Sequence, residues 1–585
     1  MKSDKYKANI VKLDDDLKEN IYTGYNGLFE MVFKAVKNKK KVIAIDGYPL
    51  TDWSFIEDLV ASFYKKNLKV ITYNIVDFYK DKQEIYGHIS KNINCDKYFG
   101  NVYDGALEDF LDTQKIETLK NNLNEIKHDS FIAIVYGCGA ANEYLKEVLD
   151  TTIYIDLTRE KFLERIKNEK LWFINYEAIE KGGTADVGLS IDTFKLIQYI
   201  CYPVFDKYRR QVLKNLDIYG DSSKDINFIS KEIFDSIFKN LSSMPLRFKP
   251  LYIEGPWCGN WIKKVRKLPD SFKNCAWAFD AVANDLSLPV LIDSYDFDIP
   301  FNTLLAQYNK KIMGEKTAKR YKYFFPVRVH YDDSFNGGNM AIQVHPDEAY
   351  VRKNFNESVG QDEAYFILKT QENTKVYLGL TEDCNVEEFY KDVVRSKNEK
   401  VPLDYEKYVN PCSSTPMDLF LIPAGTIHAL GKNQVCLEIG TSYGYTFHVY
   451  DYLRPSLNGA LREIHEEHAF NALDDKRKAK WVEKHLRPEK KIIYQKANYS
   501  EFLFESYKDI PFEVRIIEFS GEETFDAIDK FQILSLIDGD RITIESANII
   551  IEIEYTETIL IPANVTYTII SKGNAQIFKA LLKDL

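Results

Sequence analysis

The sequence contains no apolar run long enough to cross a bilayer, and its first twenty residues, MKSDKYKANIVKLDDDLKEN, are charged throughout, without the apolar core of a signal peptide. The expectation is a cytoplasmic protein with no membrane partner. A basic stripe is also missing. The net charge of −11 is spread along the chain, so nothing gathers positive potential against a phosphate backbone, and nucleic acid is not an expected partner. The eight cysteines include no C-x-x-C pair and read as reduced, mostly buried thiols rather than a disulfide framework. Disorder is not indicated, because 45% of the residues are hydrophobic and 28% charged, an ordinary balance for a chain that buries a core.

At 585 residues the chain is too long for one core, and roughly 100 to 200 residues per domain suggests three or four units. From residue 1 to about 245, short apolar runs alternate with helical stretches. Lys41 to Gly47, Val70 to Asn74, Phe131 to Tyr136 and Thr152 to Leu157 read as buried strands, and Phe55 to Leu68 and Arg159 to Asn168 as helices. That alternation predicts a parallel α/β sheet. After Pro245 the texture becomes many short β-type runs punctuated by Gly, Asn, Asp and Pro, with a helical insert at about 381–414, and this predicts a mainly β region of barrels. The expected division is 1–245, 246–500 and 501–585. In the last part, Ile561-Pro562-Ala563-Asn564-Val565-Thr566-Tyr567 echoes Ile422-Pro423-Ala424-Gly425-Thr426-Ile427-His428, with tyrosine in place of histidine; we expect a second, metal-free barrel there.

Three segments of the middle part carry chemistry. Ala341-Ile342-Gln343-Val344-His345-Pro346 is a strand pattern, so Gln343 and His345 share a face. Glu363 opens the next apolar strand, and Pro423-Ala424-Gly425-Thr426-Ile427-His428 is a turn that delivers a histidine into a strand. Either histidine alone would more often be packed or solvated than ligating. Two imidazoles, a carboxylate and an amide oxygen together suit a borderline divalent ion with a position left for substrate, and zinc is the first expectation.

In order and spacing, AIQVHPDEAY, DEAYFIL and LIPAGTIHALGKNQVCLEIG resemble the type I mannose-6-phosphate isomerases, as do LYIEGPWCGNWIKKV and YDYLRPSLNGALREIH. The resemblance covers roughly residues 250 to 585. It implies cupin barrels, one zinc per chain held by Gln343, His345, Glu363 and His428, and interconversion of mannose 6-phosphate and fructose 6-phosphate through an enediol. It also implies that Glu438 is the proton-moving base, and that Arg454 and Arg462 are basic residues able to reach an anionic group. Three positions depart from the family pattern. A serine is replaced by Ala341, a substrate-contacting lysine by Gln361, and a catalytic arginine by His448; Arg328 lies near a position where the family often has lysine. Losing two fixed charges weakens the case for a phosphate contact. Besides a zinc-dependent sugar-phosphate isomerase, the sequence therefore allows an isomerase of an unphosphorylated sugar, or a sugar-binding protein without turnover.

In the first part, Gly47-Tyr48-Pro49-Leu50-Thr51-Asp52-Trp53-Ser54 follows a strand at P-loop spacing, but Asp52 replaces the second glycine and Trp53 the lysine. With Val76-Asp77-Phe78-Tyr79, Val135-Tyr136-Gly137-Cys138-Gly139 and Tyr154-Ile155-Asp156-Leu157 it resembles a nucleoside-kinase-like P-loop protein whose phosphate chemistry is gone.

Overall fold

The computed structural model describes all residues except 1–6, 19, 129, 169–171, 174–175, 178–189, 225, 282–283, 442–444, 458, 548 and 585. The chain forms two units, one of Met1–Ser243 with Asn284–Asn309 and one of Met244–Ala283 with Lys310–Leu585. Among the described residues no helix is long and apolar enough to cross a membrane.

The first unit is built on a seven-stranded sheet. The apolar runs that read as strands are Val42–Gly47, Lys69–Asn74, Phe131–Tyr136 and Thr151–Asp156, and each pairs with its neighbours in parallel. Val42–Gly47 is buried at every position, as a strand covered by helices on both faces must be. Ile56–Lys65 and Arg159–Asn168 are helical. A separate three-stranded sheet unites Asn9–Ile10 with the hairpin of Ser287–Ile292 and Tyr295–Pro300, which is why residues 284–309 belong to this unit.

The second unit is mainly β. A six-stranded antiparallel sheet runs Leu251–Ile253, Trp277–Ala281, Val327–Asp333, Gln434–Thr441, Glu363–Thr370, Leu419–Ile422. A five-stranded antiparallel sheet runs Val409–Ser413, Lys375–Leu380, His428–Leu430, Ile342–Val344, Phe447–Tyr450. Among the described residues neither sheet closes on itself, so in place of a closed barrel the strands divide between two open sheets whose side chains meet across a shared interior. The helix Val386–Glu399 lies between two strands of the smaller sheet. Lys490–Leu582 forms a further eight-stranded sheet with its own apolar core.

Candidate metal centre and active site

Three strands bring the expected ligands together. Gln343 in Ile342–Val344 stands directly opposite His428 in its neighbouring strand, and directly opposite neighbours in an antiparallel pair share a face. His345 follows two residues on. From the other sheet, Glu363 opens Glu363–Thr370 opposite Ile422. Glu363 Oε2 lies 3.1 Å from His345 Nε2 and 3.3 Å from His428 Nε2, and Gln343 Nε2 lies 3.4 and 3.2 Å from the same two nitrogens. All four residues are buried.

The tautomers follow from the backbone. His345 Nδ1 is 3.0 Å from the Tyr445 carbonyl and His428 Nδ1 is 2.9 Å from the Thr426 carbonyl. A carbonyl only accepts, so each Nδ1 carries the proton, and in the neutral ring each Nε2 offers a lone pair to the same point. Glu363 Oε2 has no hydrogen-bond partner although it is buried among them. Two lone pairs, an unbonded carboxylate oxygen and an amide that presents its oxygen after half a turn form a donor set that fits a divalent ion, with backbone carbonyls fixing both rings from behind.

The turn before His428 is clamped. Gly425 has φ +86°, and an added Cβ would sit 3.0 Å from the Ala472 carbonyl oxygen, so the bend needs glycine. Asp362 Oδ1 accepts from Ala424 N at 2.9 Å, Gly425 N donates to the His345 carbonyl at 2.7 Å, and Arg477 Nη1 donates to the carbonyls of Pro423 and Ala424. The residue beside ligand Glu363 thus holds the loop that delivers ligand His428.

Behind the ligands lies a second group of charges that only cross-strand register reveals. Arg328, Gly440 and Glu363 occupy one row across three strands; His330, Glu438 and Tyr365 occupy another. Gly440 has no side chain to separate its neighbours: a Cβ there would lie 3.0 Å from Arg328 Nε and 3.3 Å from Glu363 Cγ. Across that gap Arg328 Nη2 donates to Glu363 Oε1 at 2.6 Å and to Glu438 Oε1 at 3.0 Å. His330 Nε2 lies 3.4 Å from Glu438 Oε1 and 3.5 Å from Asp332 Oδ1.

Three buried carboxyls here face two cations, and the proton affinities follow that balance. Burial alone would raise the Glu363 carboxyl, but His345 and His428, when their Nε2 atoms carry protons rather than lone pairs, and Arg328 hold it well below the usual range. Burial pushes Glu438 up to about 8, with the negative charge of Glu363 adding to the rise. Burial would lower His330, yet Glu438 and Asp332 carry it up to about 10. Glu438 is thus the carboxyl that takes up a proton near neutrality.

The other expected site residues fall into two places. Gln361 is buried beside the ligands, its Nε2 donating to Glu363 Oε1 and lying 3.3 Å from His345 Nε2, so it supports a ligand. His448 stands opposite Gln343 in register, and its ring stacks on His465 with centroids 5.3 Å apart. Arg454 donates to Asp451 and, at 2.9 Å, to the Asn339 carbonyl, while Arg462 pairs with Asp451 at 3.8 Å; the two arginines converge on one carboxylate. Sequence reading missed His330 and Asp332. Their signal was the alternation Arg328-x-His330-x-Asp332, which puts three charge-bearing residues on one strand face.

Residues 24–243 match a family described as a domain of unknown function (DUF8485). The chain is similar to YvyI of Bacillus subtilis (strain 168), whose name assigns it provisionally to the mannose-6-phosphate isomerases, with 31% identity over 179 residues, 29% of this chain and 54% of that protein. The chain thus spans about half the length of YvyI. Mannose-6-phosphate isomerase ManA of the same organism is 23% identical over 235 residues, 40% of this chain and 69% of the relative. Among solved structures, the mannose 6-phosphate isomerase from Bacillus subtilis aligns over 57% of this chain and 99% of its own, at 20% identity and a TM-score of 0.46. A variant of phosphomannose isomerase from Salmonella typhimurium aligns over 58% and 100%, at 11% identity and a TM-score of 0.45.

Proposed function

We propose that this chain is a divalent-metal-dependent aldose–ketose isomerase of the mannose-6-phosphate isomerase kind, with zinc as its ion and mannose 6-phosphate as its substrate. The observation that carries the reading is that Glu363 Oε2 lies 3.1 Å from His345 Nε2 and 3.3 Å from His428 Nε2, with Gln343 Nε2 3.2 Å from His428 Nε2. A bound divalent ion supplies Lewis-acid stabilisation of the negative charge that develops on a substrate oxygen, an effect worth several kcal/mol.

The chain's own residues do the rest. Glu438 takes the proton from C2 of the aldose; the C–H electron pair becomes the C1–C2 double bond as the carbonyl pair moves to O1. The same carboxyl then returns that proton to C1, while the hydroxyl proton passes from O2 to O1, for which His448 is the imidazole at hand. Positioned proton transfer of this kind contributes about 10²- to 10⁴-fold. A proton affinity near 8 suits a group that must both take and give a proton at neutral pH. Arg328, tied to both Glu363 and Glu438, keeps base and ligand in one frame.

A second reading keeps the chemistry and changes the substrate to an unphosphorylated aldose. It is favoured by what the phosphate candidates do: Gln361 is engaged with Glu363, and Arg454 and Arg462 are both held by Asp451. Assaying mannose 6-phosphate and free mannose side by side, with the zinc content measured, separates the readings. Turnover of neither sugar by zinc-loaded protein would leave a sugar-binding protein without turnover.

We read residues 1–245, joined by 284–309, as a degenerate P-loop domain, the rest of 246–500 as the metal-binding cupin domain and 501–585 as a cupin-like β domain. For the first, Tyr48 supports the reading: it is fully buried just after the strand, with the Arg209 guanidinium 4.4 Å above its ring and Arg209 Nε 3.3 Å from Asp156. Calorimetry should detect no ATP binding, and micromolar binding would overturn this assignment.

A further inference from the structure

Glu438 is held at one end. Its Oε1 receives Arg328 at 3.0 Å and faces His330 Nε2 at 3.4 Å, while its Oε2 has no hydrogen-bond partner among the described residues. His330 is 2% exposed and Asp332 fully buried, so this imidazole and carboxylate lie inside the sheet interior. Such a group is difficult to explain as a stability device, because buried charges cost more in desolvation than they return unless well paired, and apolar residues of similar size would serve a core better. Two carboxylates share one nitrogen of the ring, and a phenyl ring lies beside it. His330 lies directly opposite Glu438 in register, has the Phe279 ring at 4.9 Å, and has Asp332 Oδ1 at 3.5 Å from its Nε2. Asp332 is itself anchored, accepting from Cys436 Sγ at 3.5 Å through its other oxygen.

The same three side chains could be taken for a second metal site, since their ligand atoms cluster tightly. Arg328 argues against that. Its Nη2 occupies the approach to the same Glu438 oxygen that His330 faces, and a guanidinium beside a divalent ion would be repelled. The cluster is complete with its own cations.

We propose that His330, whose Nε2 also faces Asp332, is a positioning residue for Glu438: it holds Oε1 through its Nε2–H and leaves Oε2 to exchange the proton with substrate. This rests on the reading of Glu438 as the proton-moving group, and the experiment separates the two. In zinc-loaded full-length protein assayed with mannose 6-phosphate deuterated at C2, and with free mannose if only that is turned over, His330→Leu should lower kcat about 10- to 100-fold. KM and zinc content should stay within about twofold, and wash-out of the C2 deuterium should slow with kcat. His330→Gln, which keeps an N–H for Glu438, should recover most of the loss, and Asp332→Asn should show a smaller loss of the same kind, which also serves if His330→Leu does not fold. Wild-type kcat in His330→Leu, a change in KM alone, loss of zinc with kcat, or no recovery by glutamine would each overturn the proposal. Full turnover by Glu438→Gln would instead remove the reading beneath it.

Discussion

Two turns that share an Ile-Pro-Ala start end in different chemistry. Leu419–Ile422 and Thr558–Ile561 are both short buried strands that run into Pro-Ala turns, and both turns bend at a left-handed residue, Gly425 at φ +86° and Asn564 at φ +62°. The strand opposite is matched as well: Ile422 faces Glu363 in register, and Ile561 faces Gln532. In the first, the turn delivers His428 to within 3.3 Å of Glu363. In the second it delivers Tyr567, whose hydroxyl donates to Gln532 Oε1 at 2.5 Å and whose ring stacks on Phe525 at 5.3 Å. The turn is a scaffold that places one side chain beside one cross-strand partner. A carboxylate with an imidazole makes a ligand pair there; an amide with a phenol makes a core contact.

The largest effect should separate the two turns outright. Replacing Glu363 or His428 with alanine should abolish metal uptake and turnover, while Gln532→Ala leaves both as they were. Equal metal loss from either pair would break the comparison. Next in size is Gly440→Ala, whose Cβ would press on Arg328 and Glu363. Metal affinity or kcat should fall about 10- to 100-fold, the usual scale for disturbing a ligand's support, with the fold retained by circular dichroism.

Smaller effects test the scaffold itself. Gly425→Ala places a side chain in a left-handed conformation and against the Ala472 carbonyl, and should cost about 1–2 kcal/mol in denaturant unfolding. Tyr567→Phe removes one hydrogen bond to buried Gln532 and should cost about 1 kcal/mol, with metal content unchanged. If Tyr567→Phe lowered metal content instead, the second turn would not be a separate core contact.

The ligands were legible because each sits in a local pattern: Gln343 and His345 two apart on a strand, Glu363 opening an apolar run, and His428 behind a Pro-Ala-Gly turn. The parallel strands of the first unit were legible for the same reason, as unbroken apolar runs. What local pattern does not carry is register. Nothing near Arg328 in sequence indicates that Gly440 opens a gap to Glu363, or that His330 faces Glu438, because those rows form only when strands 110 residues apart align. The pairing of Asn9–Ile10 with Ser287–Ile292, which draws residues 284–309 into the first unit, is long-range in the same way. Arg454 and Arg462 read as cations available to an anion, and a sequence offers no sign that both converge on Asp451.

The most direct test of the account is the metal content of purified full-length protein set beside that of Glu363→Ala. About one divalent ion per chain, lost in the variant along with sugar isomerisation, is the predicted result. An ion retained at full stoichiometry in the variant, or isomerisation by metal-free protein, would contradict it.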